Sequence, residues 1–178
     1  MIYTAASSDR VDEIAALFTE SFTASEGAGE GQLIGALARE LTETTPPQDI
    51  LTFVAEDAAG LAGAIMFTPL AFADPVTAYM LAPVAVATAR QGTGIGQGLI
   101  AHGLGQLRAI GADLAITYGD PAFYGRVGFQ PVSEAVVPAP HALSMPHGWL
   151  AQSLTDAPLG PLKGPCTCAA AFNDPAYW

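Results

Sequence analysis

The chain has 178 residues, 51% of them hydrophobic and 13% charged, so it is long enough for one domain with a sizeable core and too apolar for a disordered segment. Six Lys and Arg against seventeen Asp and Glu give a formal charge of −11, a field that repels nucleic acid and anionic lipid and admits cationic or neutral partners. The longest apolar stretches, such as Leu61 to Phe67 and Met80 to Ala87, fall well short of the ~18 residues of a membrane helix, and no basic region precedes an apolar one near Met1; the expectation is a soluble, unexported, cytoplasmic protein.

In chain order, Ile2 to Ala5 reads as a short strand, and Ser7, Ser8 and Asp9 supply N-caps for a helix carrying Val11, Ile14, Leu17, Phe18 and Phe22 at helical spacing. A polar, glycine-rich loop is expected from Ser25 to Gly31. A second helix follows, with Leu33, Ile34, Leu37 and Leu41 on one face and a stop at Pro46 and Pro47. Ile50 to Glu56 and Leu61 to Phe67 are apolar runs joined by Asp57-Ala58-Ala59-Gly60, the composition of an antiparallel hairpin. Val76 to Val86 is a third long strand. From Gln91 the spacing predicts a helix whose buried face carries Gly96, Leu99, Ile100, Gly103, Leu107 and Ile110.

Asp113 to Tyr118 lacks polar alternation, as expected for a central strand covered on both faces, and its place after a helix implies a crossover connection. Pro121 to Val127 reads as a short helix. Beyond Phe129 the pattern is irregular and proline-rich, with Trp149 to Leu154 the clearest strand and Cys166 to Phe172 a weaker one. Cys166 and Cys168 are too close in sequence for an ordinary staple and have no His or Cys at ligand spacing, so reduced thiols and no metal are expected. No repeat or linker interrupts the chain, and a single domain over residues 1–178 is expected.

The run Leu81-Ala-Pro-Val-Ala-Val-Ala-Thr-Ala-Arg-Gln-Gly-Thr-Gly-Ile-Gly-Gln-Gly-Leu-Ile combines a strand, a glycine-rich turn and a helix start. Small residues let backbone N–H groups approach a ligand, and the helix N-terminus adds partial positive charge, which together suit a phosphate. Arg90 adds one cation beside the turn. A dinucleotide pattern fails at Gln97 when started from Gly92 and at Leu99 when started from Gly94; a triphosphatase loop fails because no lysine precedes residue 163. A plain structural turn is the remaining alternative.

Gln91-Gly-Thr-Gly-Ile-Gly96 resembles the Gln/Arg-x-x-Gly-x-Gly/Ala signature of the GNAT acetyltransferases, and Gly119-Asp-Pro-Ala-Phe-Tyr-Gly-Arg-Val-Gly-Phe129 is similar to the Phe-Tyr-x-x-x-Gly-Phe block of that superfamily. The second block looks especially like that of small N-acetyltransferases with Gly-Asp-Pro-x-Phe-Tyr. The resemblance covers Leu81 to Phe129 and implies an α/β (α+β) fold: a mixed, mostly antiparallel central sheet with a splayed parallel pair and flanking helices. It implies acetyl-CoA as acyl donor, with the pantetheine arm entering between the strands that end near Val86 and Tyr118. The backbone of Val84 and Val86 would pair with that arm and the N–H near Val84 would polarise the thioester carbonyl. Arg90, Gln91, Gly92, Thr93, Gly94, Ile95, Gly96 and Gln97 would hold the pyrophosphate.

By the same resemblance Tyr124 is the acid that protonates the departing thiolate, a role open to a phenol because its pKa near 10 exceeds that of a thiol near 8.5. A ring packed under the cofactor is the alternative. Asp120 is counted with the cofactor-binding residues and is the nearest candidate base, although Asp between Gly119 and Pro121 also suits a helix N-cap. No acid lies between Val76 and Ala87, where many relatives carry one, so a water relay or an already neutral amine stays open. Arg126 could meet a CoA phosphate or be a solvated side chain; Glu26 and Glu30 could hold an ammonium or be ordinary loop charges. His102 is expected at the surface, and His141 and His147 are candidates to line an acceptor cleft.

The function so implied is transfer of an acetyl or short acyl group to a primary amine of a small molecule or peptide, by direct attack in a ternary complex; a homodimer is compatible with it. No Gly-x-Ser-x-Gly elbow or metal-ligand cluster supports another route. The alternatives are a non-catalytic acyl-CoA-binding sensor or partner module on the same scaffold, favoured by the missing strand acid, and a dinucleotide-binding reductase, disfavoured by its failed glycine spacing.

Overall fold

The computed structural model describes residues Met1–Trp178, the whole chain. It is an α/β protein with a seven-stranded, mostly antiparallel sheet: β1 (Ile2–Ala5), β2 (Leu51–Asp57), β3 (Gly60–Leu70), β4 (Ala78–Val86), β5 (Leu114–Tyr118), β6 (Gln130–Pro131) and β7 (Trp149–Ser153), in the order β1-β2-β3-β4-β5-β7-β6. The helices are α1 (Val11–Glu26), α2 (Ala28–Thr44), α3 (Ile95–Ala109) and the single turn α4 (Pro121–Tyr124). The parallel pair is β4 with β5, registered from Ala78↔Leu114 to Leu81↔Thr117. Beyond that register β4 runs on to Val86.

Two compact units make up the chain: Met1–Phe67 with Ala82–Gly103, and Thr68–Leu81 with Leu104–Trp178. In the first, β1 and β2 pair antiparallel and β2 turns through Asp57 into β3, where Gly60 takes φ 100°, the left-handed geometry that favours glycine. Apolar side chains at helical spacing give α1 a buried stripe of Ile14, Leu17 and Phe18 and α2 one of Ile34, Leu37 and Leu41. The two helices pack through small residues: a Cβ on Gly35 would lie 3.1 Å from the Ala15 carbonyl, and one on Gly31 would lie 2.5 Å from the Thr19 carbonyl.

That packing corrects the loop expected from Ser25 to Gly31. Helix α1 continues through Glu26, a single residue, Gly27 at φ 102°, breaks it, and α2 starts at Ala28, so Glu26 and Glu30 are helical. Other boundaries differ as well: α3 begins at Ile95 rather than Gln91, and β4 at Ala78 rather than Val76. Ser7 precedes a 3-10 turn over Ser8–Arg10 without a side-chain capping bond, and α1 itself begins after Arg10. Helix α3 ends at Ala109, so Ile110 is 57% exposed rather than part of the buried face.

In the second unit, β5 is flanked by β4 and β7, with β7 antiparallel from Leu114↔Ser153 to Tyr118↔Trp149. Its residues from Leu114 to Thr117 are buried, as the absence of polar alternation predicts. Trp149 is fully buried and satisfies its ring N–H on the Val137 carbonyl at 2.9 Å. The segment Cys166 to Phe172 is not a strand: Thr167 makes an isolated bridge to Ala71, and Ala170–Phe172 form a 3-10 turn. No helix is long and apolar enough to cross a membrane.

Candidate active site

The glycine-rich run lies in the first unit. Strand β4 ends at Val86, a 3-10 turn occupies Thr88–Arg90, and α3 starts at Ile95. Gly92 and Gly94 take φ 72° and 84°, which other residues adopt at a cost, and a Cβ on either would meet no atom within 4 Å. These glycines are therefore set by backbone geometry and an open approach rather than by packing. The first α3 donor with an intrahelical acceptor near the loop is the Gly98 N–H, on the Gly94 carbonyl at 3.0 Å. The N–H groups of Ile95, Gly96 and Gln97 belong to the first turn, whose donors have no acceptor inside a helix.

Side chains brace this turn from below. The Gln91 amide donates to the Val86 carbonyl at 3.1 Å, the Ser21 hydroxyl donates to the same oxygen at 3.1 Å, and Thr93 Oγ1 donates to the Arg90 carbonyl at 2.7 Å. Val86 thus has its carbonyl engaged, and the Ala87 N–H is spent on the Ala62 carbonyl at 2.9 Å. Gly63 permits the close approach, since a Cβ there would lie 3.1 Å from the Ala85 carbonyl. Ser21, only 6% exposed, is a part of the site that sequence reading missed. One serine among the alternating residues of an amphipathic helix carries no signal of a bond 65 positions away.

Arg90 is not a free cation. Its guanidinium forks onto Asp57, Nη1 to Oδ1 at 3.1 Å and Nη2 to Oδ2, and Asp57 also accepts from the Ala59 N–H at 2.9 Å. The Arg90 fork, followed by the Ala59 bond, holds the Asp57 carboxyl down at about 2. Attraction for an anion at this turn therefore rests chiefly on the glycine-loop and first-turn N–H groups, with Arg90 sharing its charge with the hairpin.

Tyr124 and Asp120 lie in the second unit. Asp120 caps α4, accepting from the Ala122 N–H at 2.8 Å, with Pro121 in the first turn where its missing N–H costs nothing. The Tyr124 ring, half-buried, meets Phe123 and Phe129 edge-on at centroid distances of 5.0 and 5.8 Å. Burial raises the phenol pKa above its ordinary value of 10.0, the Thr117 hydroxyl partly offsets this, and the Asp120 charge adds to the rise. Thr117 is itself fully buried and donates to the Leu81 carbonyl at 2.9 Å, where the parallel register ends. The phenol is thus kept protonated at neutral pH, the form that a proton donor needs.

Glu26 is exposed and Glu30 half-buried on the helices. His102 departs from the surface expectation: its ring stacks on Tyr3 at 6.1 Å and meets Phe53 edge-on at 5.4 Å. His141 sits 5.9 Å from the Trp178 ring, while His147 and Arg126 are exposed. Cys166 and Cys168 are free thiols, and burial pushes the Cys166 thiol up to about 12.

A parallel β4–β5 pair in an otherwise antiparallel sheet, with a glycine turn leaving β4 for α3, is the arrangement that the resemblance to the GNAT acetyltransferases implies. The profile of the acetyltransferase (GNAT) domain family matches residues 3–132, and the chain belongs to that family. It is 33% identical over 139 residues to the uncharacterized N-acetyltransferase YjhQ of Escherichia coli strain K12, spanning 75% of this chain and 76% of that protein. Among solved structures, a GNAT family acetyltransferase from Brucella melitensis in complex with acetyl-CoA superposes with a TM-score of 0.73 at 28% identity, covering 97% of both chains. The GNAT family N-acetyltransferase YhbS of Escherichia coli, in complex with CoA, shares the fold with a TM-score of 0.81 at 24% identity, over 97% of this chain and 91% of that one. The protein is accordingly an acetyltransferase of the GNAT family.

Proposed function

We propose that this chain moves an acetyl or short acyl group from acyl-CoA to a primary amine by direct attack in a ternary complex, acting as one domain over residues 1–178. The observation that carries the reading is the turn at Gly92 and Gly94: left-handed, open on its ligand side and leading into the unpaired donors of α3. That cradle suits the pyrophosphate of CoA, with Arg90 and residues 91–97 around it. The Val84 N–H and the main chain of Val84 and Val86 serve the pantetheine arm, with the Val86 carbonyl held by Ser21 and Gln91.

In the step itself the amine lone pair bonds to the thioester carbon, the Val84 N–H stabilises the oxyanion that develops, and the carbon–sulfur bond breaks. Tyr124 gives its phenol proton to the departing thiolate and regains one from solvent. Asp120 serves by capping the turn that carries Tyr124. With no acid between Val76 and Ala87, the amine arrives neutral, its ammonium proton already left to solvent, and once bonded to the carbon its nitrogen gives a second proton to water. The Gly-Asp-Pro-Ala-Phe-Tyr block supports a reading as one of the small N-acetyltransferases that carry it, acting in the cytoplasm.

The missing acid on β4 favours one second reading, an acyl-CoA-binding module without turnover. Incubation with acetyl-CoA and a panel of primary amines separates the two: the first reading requires amine-dependent CoA release with an N-acetylated product, the second requires binding alone.

A further inference from the structure

Gly119, the residue that follows β5, does not need to be glycine for backbone reasons, since it is absent from the glycines with positive φ. What it lacks is room. A Cβ built on Gly119 would lie 2.7 Å from Tyr124 Cε2, 3.5 Å from Cδ2 and 3.7 Å from Cζ. The edge of the phenol ring therefore rests against the bare Cα of residue 119. On its other side Gly119 is pinned: its N–H donates to the Gly148 carbonyl at 2.9 Å, and a Cβ on Gly148 would lie 3.0 Å from the Gly119 carbonyl. Two glycines in register thus hold the strand end in place while leaving its face open to the ring.

Tyr124 is fixed from its own backbone as well. Its N–H donates to the Asp120 carbonyl at 3.1 Å, and its carbonyl accepts from the Phe129 N–H at 3.2 Å. Phe123 and Phe129 close the ring edge-on. With the turn anchored at both ends, the ring has one seat, and residue 119 forms its floor.

We propose that Gly119 is a positioning residue for acyl transfer: its missing side chain seats the Tyr124 ring, and Gly148 keeps Gly119 from yielding. The proposal rests on the reading of Tyr124 as the proton donor. A single added methyl group tests it, because the atom it meets belongs to a side chain that can move while the backbone stays. Gly119→Ala should displace the ring and lower kcat by about tenfold or more while the acetyl-CoA KM stays within about threefold, a split that loss of a transition-state interaction produces. Gly125→Ala, on the adjacent turn with no atom within 4 Å of its Cβ, should keep wild-type kcat.

The test is a double-mutant cycle with two structural readouts. Gly119→Ala should cost little further rate in a Tyr124→Phe background, because the hydroxyl it misplaces is already gone. Its lowering of the melting temperature should largely vanish in a Tyr124→Ala background, where the ring is absent; this comparison holds even if the single variant folds poorly. A crystal structure of Gly119→Ala should show the ring moved. An unmoved ring, an equal melting penalty with and without the ring, or an equal rate penalty in the wild-type and Tyr124→Phe backgrounds would overturn the proposal. If Tyr124→Phe itself keeps wild-type rate, the proton-donor role fails, and the ring position and melting comparison still decide whether Gly119 seats the ring.

Discussion

Ser21 on α1 donates its hydroxyl proton to the Val86 carbonyl at the end of β4, at 3.1 Å across 65 positions of sequence. With Gln91 on the same oxygen, this bond fixes where the strand stops and the glycine turn begins. We expect Ser21→Ala to lower stability by about 1 kcal/mol, the usual worth of one such bond, and to weaken acetyl-CoA binding by about fivefold. Chemical denaturation and calorimetric titration measure the two effects. Unchanged affinity would mean that the turn holds its shape without the brace.

The turn glycines give a sharper outcome. Valine at Gly94, where φ is 84°, adds about 1–2 kcal/mol of backbone strain, whereas Gly96 has no positive φ and lies within α3. Both Gly94→Val and Gly96→Val should abolish the rise in melting temperature caused by acetyl-CoA, although only the first strains the backbone. NAD should produce no such rise in the wild type. A retained shift in both variants would place the cofactor elsewhere.

Asp57 gives a pH dependence with a definite sign. Its carboxyl is held at about 2 in the folded protein against an ordinary 3.8, so the stability it contributes is present above about 3.8 and is lost as the pH falls toward about 2. Asp57→Asn should flatten the fall in melting temperature across that window and leave the profile above pH 5 parallel to wild type. Identical slopes below pH 4 would show that the fork with Arg90 does not persist in solution.

The misreadings share a physical origin. Gly27, Gly29 and Gly31 look like loop composition, yet Gly31 is glycine because α1 approaches so closely that a Cβ would meet Thr23 and the Thr19 carbonyl. Propensity is local and helix contact is not. The position of His102 off the apolar stripe of α3 predicts a surface side chain, and its ring instead packs on Tyr3 and Phe53 from β1 and β2. The hairpin, the central strand β5 and the glycine turn were legible because alternation, unbroken apolar runs and left-handed glycines are written in adjacent residues. Ser21, the Arg90–Asp57 fork and the Gly119–Gly148 pair were not, because each joins segments far apart in the chain.

Tyr124→Phe separates chemistry from packing. Loss of a positioned proton donor costs on the order of 100-fold in rate, whereas loss of a packing hydroxyl costs little, and the ring itself would still fill its place. Because burial raises the phenol pKa above 10.0, Tyr124 stays protonated from pH 6 to 9, and no loss of rate in that range should trace to it. A Tyr124→Phe variant with most of the wild-type rate would make Tyr124 a packing residue.

The most direct measurement is CoA release from acetyl-CoA against a panel of primary amines, with the acceptor product identified by mass spectrometry. If the chain acylates amines, release is saturable and amine-dependent, with one acetyl group gained by the amine nitrogen. Tight acetyl-CoA binding without turnover on any amine would contradict it.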